Sequence, residues 1–343
     1  MELSSHIDRL HRQAMTVNAH FDLTFDLANK RDRGRQDVIK TDYLPGFQKS
    51  RFDLIVSSIY IHQYFLPEMG LRKALDQISY LLRELDEMSP HLKLCRSSAD
   101  IHQAHQTGRT GIMLSFEGVE PLQNDIQLLR IFYELGLRGV GLTWSRRNYA
   151  GDGCFFKPVR EGAKGGLTPF GVEVVQNAET LGMVVDVSHL NDEGFWDVID
   201  IVQQPIIASH SNCRAKVDTM RNLTDHQIEA IAKTGGVIGM NGISAFTGNT
   251  DASQPRLQAA DLVDHVDHIV KIAGIAHVGM GFDFCDGFQN FLTAPENIDA
   301  YDVIDGHENL HQFTAALIDR GYSDEDILRI LGGNFMRVLE GIL

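Results

Sequence analysis

The stretch GLTPFGVEVVQNAETLGMVVDVSHL (166–190) reads as a helix that hands over to a buried strand. Thr168-Pro169 is a helix start, because a threonine hydroxyl can cap free backbone N–H groups and proline suits the first turn, where its missing N–H costs nothing. Apolar residues then recur three and four apart, and Gly182 ends the helix by taking the left-handed conformation that other residues resist. MVVDVSH (183–189) follows without polar alternation, the pattern of a parallel strand covered on both faces, and it closes on His189.

Seven more runs share this character: MTVNAH (15–20), FDLIVSSIY (52–60), GIMLSFE (111–117), GVGLTW (139–144), PIIASH (205–210), GVIGMN (236–241) and HVGMGFD (277–283). Amphipathic stretches separate them, among them LRKALDQISYLLREL (71–85), IQLLRIFYEL (126–135), TDHQIEAIAKT (224–234) and LVDHVDHIVKIA (262–273). Thr224 is a second N-cap, and Gly136 and Gly235 are further stops. Eight strands alternating with helices predict an α/β fold, a (β/α)₈ TIM barrel in preference to a doubly wound sheet. With no internal repeat and no low-complexity linker, residues 1–343 are expected to form one domain. Long connections at 21–50, 145–167, 242–259 and 284–308 follow strand C-termini, so they are expected to roof the mouth where barrels do chemistry.

Composition narrows the function. The 343 residues are 43% hydrophobic, enough for a large core, and the net charge of -15 is spread over helical stretches. A nucleic-acid partner is excluded, since phosphate backbones demand a basic face. No apolar stretch reaches the roughly 18 residues needed to span a bilayer. Four cysteines without a CxxC pair, and an N-terminus (MELSSHIDRLHRQAM) with no apolar run, lead to the expectation of a reduced, cytoplasmic protein that contacts no membrane.

The chemistry lies where these apolar runs end. His20 and Asp22 follow the first, Glu117 ends the third, His189 the fifth, His210 the sixth and Asp283 the last. Burying an imidazole or carboxylate without a partner costs several kcal/mol, so six at equivalent ends must satisfy one another through something shared. Three imidazoles and two carboxylates form the mixed donor set that zinc accepts. Ligand count favours two ions, with His20 and Asp22 on one, His189 and His210 on the other, and Glu117 bridging.

Ordered matches over nearly the whole chain then resemble the membrane (renal) dipeptidase family of zinc peptidases. They are NAHFD (18–22), SFEG (115–118), the opening stretch 166–190, PIIASHSNCRA (205–215), RNLTD (221–225), TGGVIGMN (234–241), HVGMGFDF (277–284) and GGNFMRVL (332–339). The resemblance implies the same five metal ligands with a bridging Glu117, an acid/base role for Asp283 and a substrate-carboxylate contact for Arg221. It also implies a dipeptide substrate, with a D-residue tolerated at the C-terminal position, attacked by a metal-bridging hydroxide; a homodimer fits it too. Two departures stand out. The best-known members read Leu-Thr-His where this chain has Leu142-Thr143-Trp144, which places Trp144 at a substrate contact, and RRNYAGDGC (146–154) resembles a bacterial branch. An extra residue after Asp283 makes Asp286 a secondary acid/base candidate. Hydrolysis of another small amide, such as an N-acyl amino acid, is the alternative that Trp144 motivates; a non-catalytic metal-binding scaffold is the alternative from another class, and the presence of Asp283 speaks against it.

Overall fold

Nine parallel strands make up the sheet of the computed structural model, which describes residues 2–155, 165–248, 255–287 and 300–343. They are β1 (Thr16–Phe21), β2 (Phe52–Tyr60), β3 (Leu92–Leu94), β4 (Thr110–Glu117), β5 (Leu137–Gly141), β6 (Val184–Asp186), β7 (Ile207–Ala208), β8 (Val237–Met240) and β9 (Val278–Met280). Eight of them run in sequence order around a nearly closed barrel, and these are the eight expected runs. β3 was not anticipated. It pairs with the start of β4 below the level where β5 begins, and three residues around Lys93 carry too little periodicity to announce a strand.

Strand alternation divides the core in two. Val17, Ala19, Leu54, Val56, Met113, Val184, Ile207 and Val237 fill the lower barrel, and the helix Asn334–Ile342 closes that end with Phe335, Val338 and Leu339. The opposite faces of the strands, including Ile55, Leu114, Phe116, Val140, Val185 and Ile238, pack under the surrounding helices against Leu81, Phe132, Val174, Ile228 and Val266. Each such side chain contributes about 1.5–3 kcal/mol on burial. That surplus allows the upper barrel to carry buried polar groups.

The helices begin and end as their caps dictate. Thr168 accepts the Gly171 N–H at 3.1 Å ahead of the helix Pro169–Thr180, and Thr224 forms a reciprocal capping box with Gln227. Gly136, Gly182 and Gly235 all take positive φ just beyond a helix. The connection 21–50 holds helices Leu23–Asp32, Ile39–Tyr43 and Leu44–Lys49 and little open loop. Leu23, Leu27 and Phe47 bury themselves there together with charged residues, Asp26 and Arg31 among them, so no one-sided apolar stripe announces the helix. Of the other three connections, residues 156–164, 249–254 and 288–299 lie outside the described residues. Among the described residues no helix is long and apolar enough to cross a membrane.

The barrel meets itself between β1 and the chain just after β9 through a side chain. Buried Asn18 accepts the Phe282 N–H on Oδ1 at 3.0 Å and turns Nδ2 toward His307 Nε2 at 3.0 Å. The His307 ring sits edge-on to Phe21, Phe47, Phe52 and Phe284, with centroids 4.7–5.1 Å away. Burial in this aromatic cage pushes its pKa down from 6.5 to about 3. Between those values the unfolded chain binds more protons than the folded one, so stability is full above pH 6.5 and falls as pH drops toward 3. Replacing His307 by Gln should therefore flatten the pH dependence of unfolding free energy in metal-free protein between about pH 4 and 6.5, by up to about 1.4 kcal/mol per unit. Denaturant titrations at several pH values measure this, and an unchanged slope would show that the ring titrates normally in the fold.

Candidate metal centre and active site

Local backbone irregularities turn the ends of these strands inward. In β1, Asn18 to Phe21 spans three residues opposite two of β2, Ile55 to Ser57. That extra residue shifts the alternation, so His20 and Asp22 face the same interior as Val17 and Ala19 below. Glu117 needs no such device, being in phase with inward-facing Met113. His189 and Asp283 lie past the ends of β6 and β9 with φ of 69° and 56°, left-handed conformations that are uncommon outside glycine. Gly239 and Gly281 let the backbone close in, since a Cβ on either would come within 2.0 or 1.7 Å of the Ser209 carbonyl.

The six side chains converge. Glu117 Oε1 lies 3.0 Å from His189 Nε2, 3.5 Å from His210 Nε2 and 3.6 Å from His20 Nε2. His20 Nε2 is also 3.9 Å from Asp22 Oδ1 and 3.6 Å from Asp283 Oδ1, and the Nε2 atoms of His189 and His210 are 2.9 Å apart. Burial pushes the His20 imidazole down to about 3, reinforced by Arg221, and holds His189 and His210 well below the usual range. It pushes Asp22 up to about 6 and Asp283 to about 8, and Glu117 well above its ordinary value. In the bare chain burial thus shifts each of these groups toward its neutral form. Divalent cations would reverse that preference, since they stabilise carboxylates and use imidazole lone pairs.

The orphaned atoms test whether metal fits. His20 Nε2 and Glu117 Oε2 are fully buried and have no hydrogen-bond partner. His20, Glu117 and His210 form one group whose donor atoms could share an ion, and His20, Asp22 and Asp283 form a second. Mixed nitrogen and oxygen donors of this kind suit a zinc-class ion.

The other expected residues take distinct places. Arg221 is buried and donates to the His210 carbonyl at 2.7 Å and to Ser211 Oγ at 3.0 Å, while its Nε has no partner. Trp144 is half-buried beside the cluster, stacked on His189 with centroids 5.9 Å apart and flanked by Tyr60 at 5.3 Å. The Arg146 guanidinium lies 5.1 Å over its ring. Asp286 is exposed and stands apart from the cluster. It faces Asp302, whose N–H it accepts at 3.2 Å, because the chain turns away immediately after Asp283.

A family model described as membrane dipeptidase, peptidase family M19, matches residues 4–342. This chain belongs to the membrane dipeptidase family. Dipeptidase tcpJ of Claviceps purpurea is 30% identical over 274 residues, covering 80% of this chain; the match spans 60% of that relative's length. An uncharacterized protein from the pqqA 5' region of Klebsiella pneumoniae is 32% identical over 270 residues, 78% of this chain and 94% of its own. Among solved structures, a Rhodobacter sphaeroides metallo peptidase liganded with a phosphinate mimic of the dipeptide L-Ala-D-Ala superposes with a TM-score of 0.84 at 26% identity, covering 96% of this chain and 99% of that one. A structure described as dipeptidase AC gives the same TM-score, 0.84, at 27% identity, covering 96% and 98%.

In this member of the membrane dipeptidase family a second tier of residues, which sequence reasoning missed, holds the cluster in place. Ser58 donates to Asp22, Ser145 Oγ meets His189 Nδ1 at 2.7 Å, and Ser209 Oγ meets His210 Nδ1 at 2.6 Å. Ser209 in turn donates to Asp186, which also accepts the N–H groups of Ser188 and Ser209 at 2.9 Å. With its own proton committed to Asp186, the Ser209 hydroxyl can only accept from His210, which puts the imidazole proton on Nδ1 and leaves Nε2 a lone pair for metal. Ser209→Ala should weaken divalent-metal binding about 10- to 100-fold, read by competition with a chromophoric chelator. A chelator midpoint identical to the parent's would remove Ser209 from the metal centre.

Proposed function

We propose that this chain, as one barrel domain, is a zinc-dependent dipeptidase with two ions per site and Glu117 bridging them. The observation that carries the reading is the position of Glu117, with Oε1 within 3.6 Å of three imidazole nitrogens and Oε2 buried without a partner. His20 and Asp22 would hold one ion, His189 and His210 the other. Bound zinc would polarise the peptide carbonyl and bring the pKa of a bound water to about 7, so that a nucleophile exists at neutral pH.

The chain's own residues supply the rest. Asp283, with Oδ1 3.6 Å from His20 Nε2, stands where a carboxylate can take a proton from the attacking water and deliver it to the leaving nitrogen. Arg221 has five N–H donors and commits two side-chain nitrogens to protein, so its charge and remaining donors are available to a substrate carboxylate. Trp144 narrows the wall beside His189; its indole N–H can donate one hydrogen bond but carries no charge to offset a developing oxyanion.

The dipeptide mimic bound by the Rhodobacter relative supports a dipeptide substrate here and tolerance of a C-terminal D-residue. Trp144 beside His189 favours one second reading, hydrolysis of N-acyl amino acids. The proposal includes the cytoplasm as location, where four unpaired thiols suit a reducing medium, and a homodimer as assembly. Nucleic acid has no part in it, given the net charge of -15.

Turnover of a dipeptide panel, including C-terminal D-residues, against N-acyl amino acids tests the activity. Dipeptides should be cleaved, chelation should stop cleavage and zinc should restore it; faster turnover of the acylated compounds would replace this reading by the second one. Elemental analysis should find close to two zinc-class ions per chain and almost none after Glu117→Ala, whereas a single ion indifferent to that change would exclude a bridge. Trp144→His should keep the metals and alter the ranking of dipeptides by at least about tenfold in kcat/KM, roughly 1.4 kcal/mol of differential transition-state binding. The same ranking within about twofold would make Trp144 a packing residue.

A further inference from the structure

Asp283 occupies an unusual position for a residue given a demanding task. Its φ of 56° belongs to the left-handed region, which aspartate tolerates better than most residues yet rarely adopts unless its surroundings enforce it. Two anchors enforce it here. Beyond the turn, the buried Asp302 carboxylate accepts the N–H of Cys285 at 3.0 Å and that of Asp286 at 3.1 Å, fixing the backbone that leaves Asp283. At the side chain, Asn241 Nδ2 donates to Asp283 Oδ2 at 3.0 Å.

The orientation of that amide is determined by its other contacts. Asn241 Oδ1 accepts the Ile243 N–H at 2.8 Å, so Nδ2 is the end that faces the carboxylate. The Asn241 backbone is fixed too, its N–H donating to Asn212 Oδ1 at 3.0 Å and its carbonyl accepting from Asn212 Nδ2 at 2.9 Å. Asn212 is wholly buried and lies two residues beyond His210. A rigid line of amides thus connects a metal ligand on one strand to the carboxylate on another.

We propose that Asn241 is a positioning residue for proton transfer: by holding Oδ2 of Asp283 with an amide donor it leaves Oδ1, which lies 3.6 Å from His20 Nε2 and meets the weak Cys285 Sγ–H donor at 3.7 Å, as the one that moves the proton. In that step the oxygen of a water molecule bonds to the peptide carbonyl carbon and its proton passes to Oδ1. The C–N bond then breaks, its electron pair stays on nitrogen, and Oδ1 returns the proton to that nitrogen. Without Asn241 the carboxylate can rotate about χ2 and present either oxygen at the wrong angle. The inference rests on the acid/base reading of Asp283.

A double-mutant cycle in the zinc-loaded enzyme separates positioning from mere stability. Asn241→Asp keeps an acceptor for Ile243 but replaces the donor with a carboxyl oxygen and adds charge, and Asn241→Ala removes both donor and acceptor without adding charge. Each should lower kcat about 10- to 100-fold, leave KM within about twofold and keep the full metal content. In an Asp283→Asn background neither should lower kcat further by more than about twofold, because the group being positioned is gone. Equal losses in both backgrounds, or a loss confined to KM, would overturn the proposal even if one of the two variants folds poorly. Undiminished kcat in Asp283→Asn alone would instead overturn the acid/base reading beneath it.

Discussion

The side-chain amide of Asn18 does for this barrel what a backbone ladder does elsewhere. β1 and β9 are the first and last strands of the ladder, and His20 and Asp283 follow directly from them. Asn18 Oδ1 takes the Phe282 N–H where these two edges meet, and the 3.6 Å approach of His20 to Asp283 is measured across that join. An edge held by one side chain instead of a run of backbone pairs has to be supported from behind. The aromatic cage around His307 provides that support, since a neutral imidazole there can accept from Asn18.

Much of the architecture was legible because parallel strands buried on both faces, and helices marked by Thr-Pro and Gly, are written in short-range patterns. All eight barrel strands and the capped helices fall in that class. β3 and the helical path from 23 to 49 do not. One is too short to show a period, and in the other, charged residues such as Lys30 and Arg31 lie between the buried Leu23, Leu27 and Phe47 and obscure the spacing.

At the site, the residues that could be read were those whose burial makes no sense alone. A histidine or carboxylate ending an apolar strand demands an explanation, so His20, Asp22, Glu117, His189, His210 and Asp283 stood out. A serine next to a histidine demands none, and Ser145 and Ser209 were passed over although both reach imidazoles of the cluster. What separates Asp283 from Asp286 in space was beyond one-dimensional reading for another reason. It depends on a left-handed turn and on an Asp302 carboxylate sixteen or more residues away, which redirect the chain between two nearby aspartates.

The floor of the barrel has a bearing on how the chain reaches its native state. Phe335, Val338 and Leu339 complete the interior packing begun by Val17 and Ala19, although nearly the whole sequence separates them. Gly332 passes so close to the start of β1 that a Cβ would lie 1.9 Å from the Met15 carbonyl, so that crossing admits backbone only. During synthesis the first strand therefore waits, with its inner face unfilled, until residues 332–342 emerge. Contacts of such long sequence separation form slowly and leave apolar surface exposed meanwhile. For this protein, the interval between ribosome exit of β1 and docking of that last helix is when chaperones or aggregation would compete with folding.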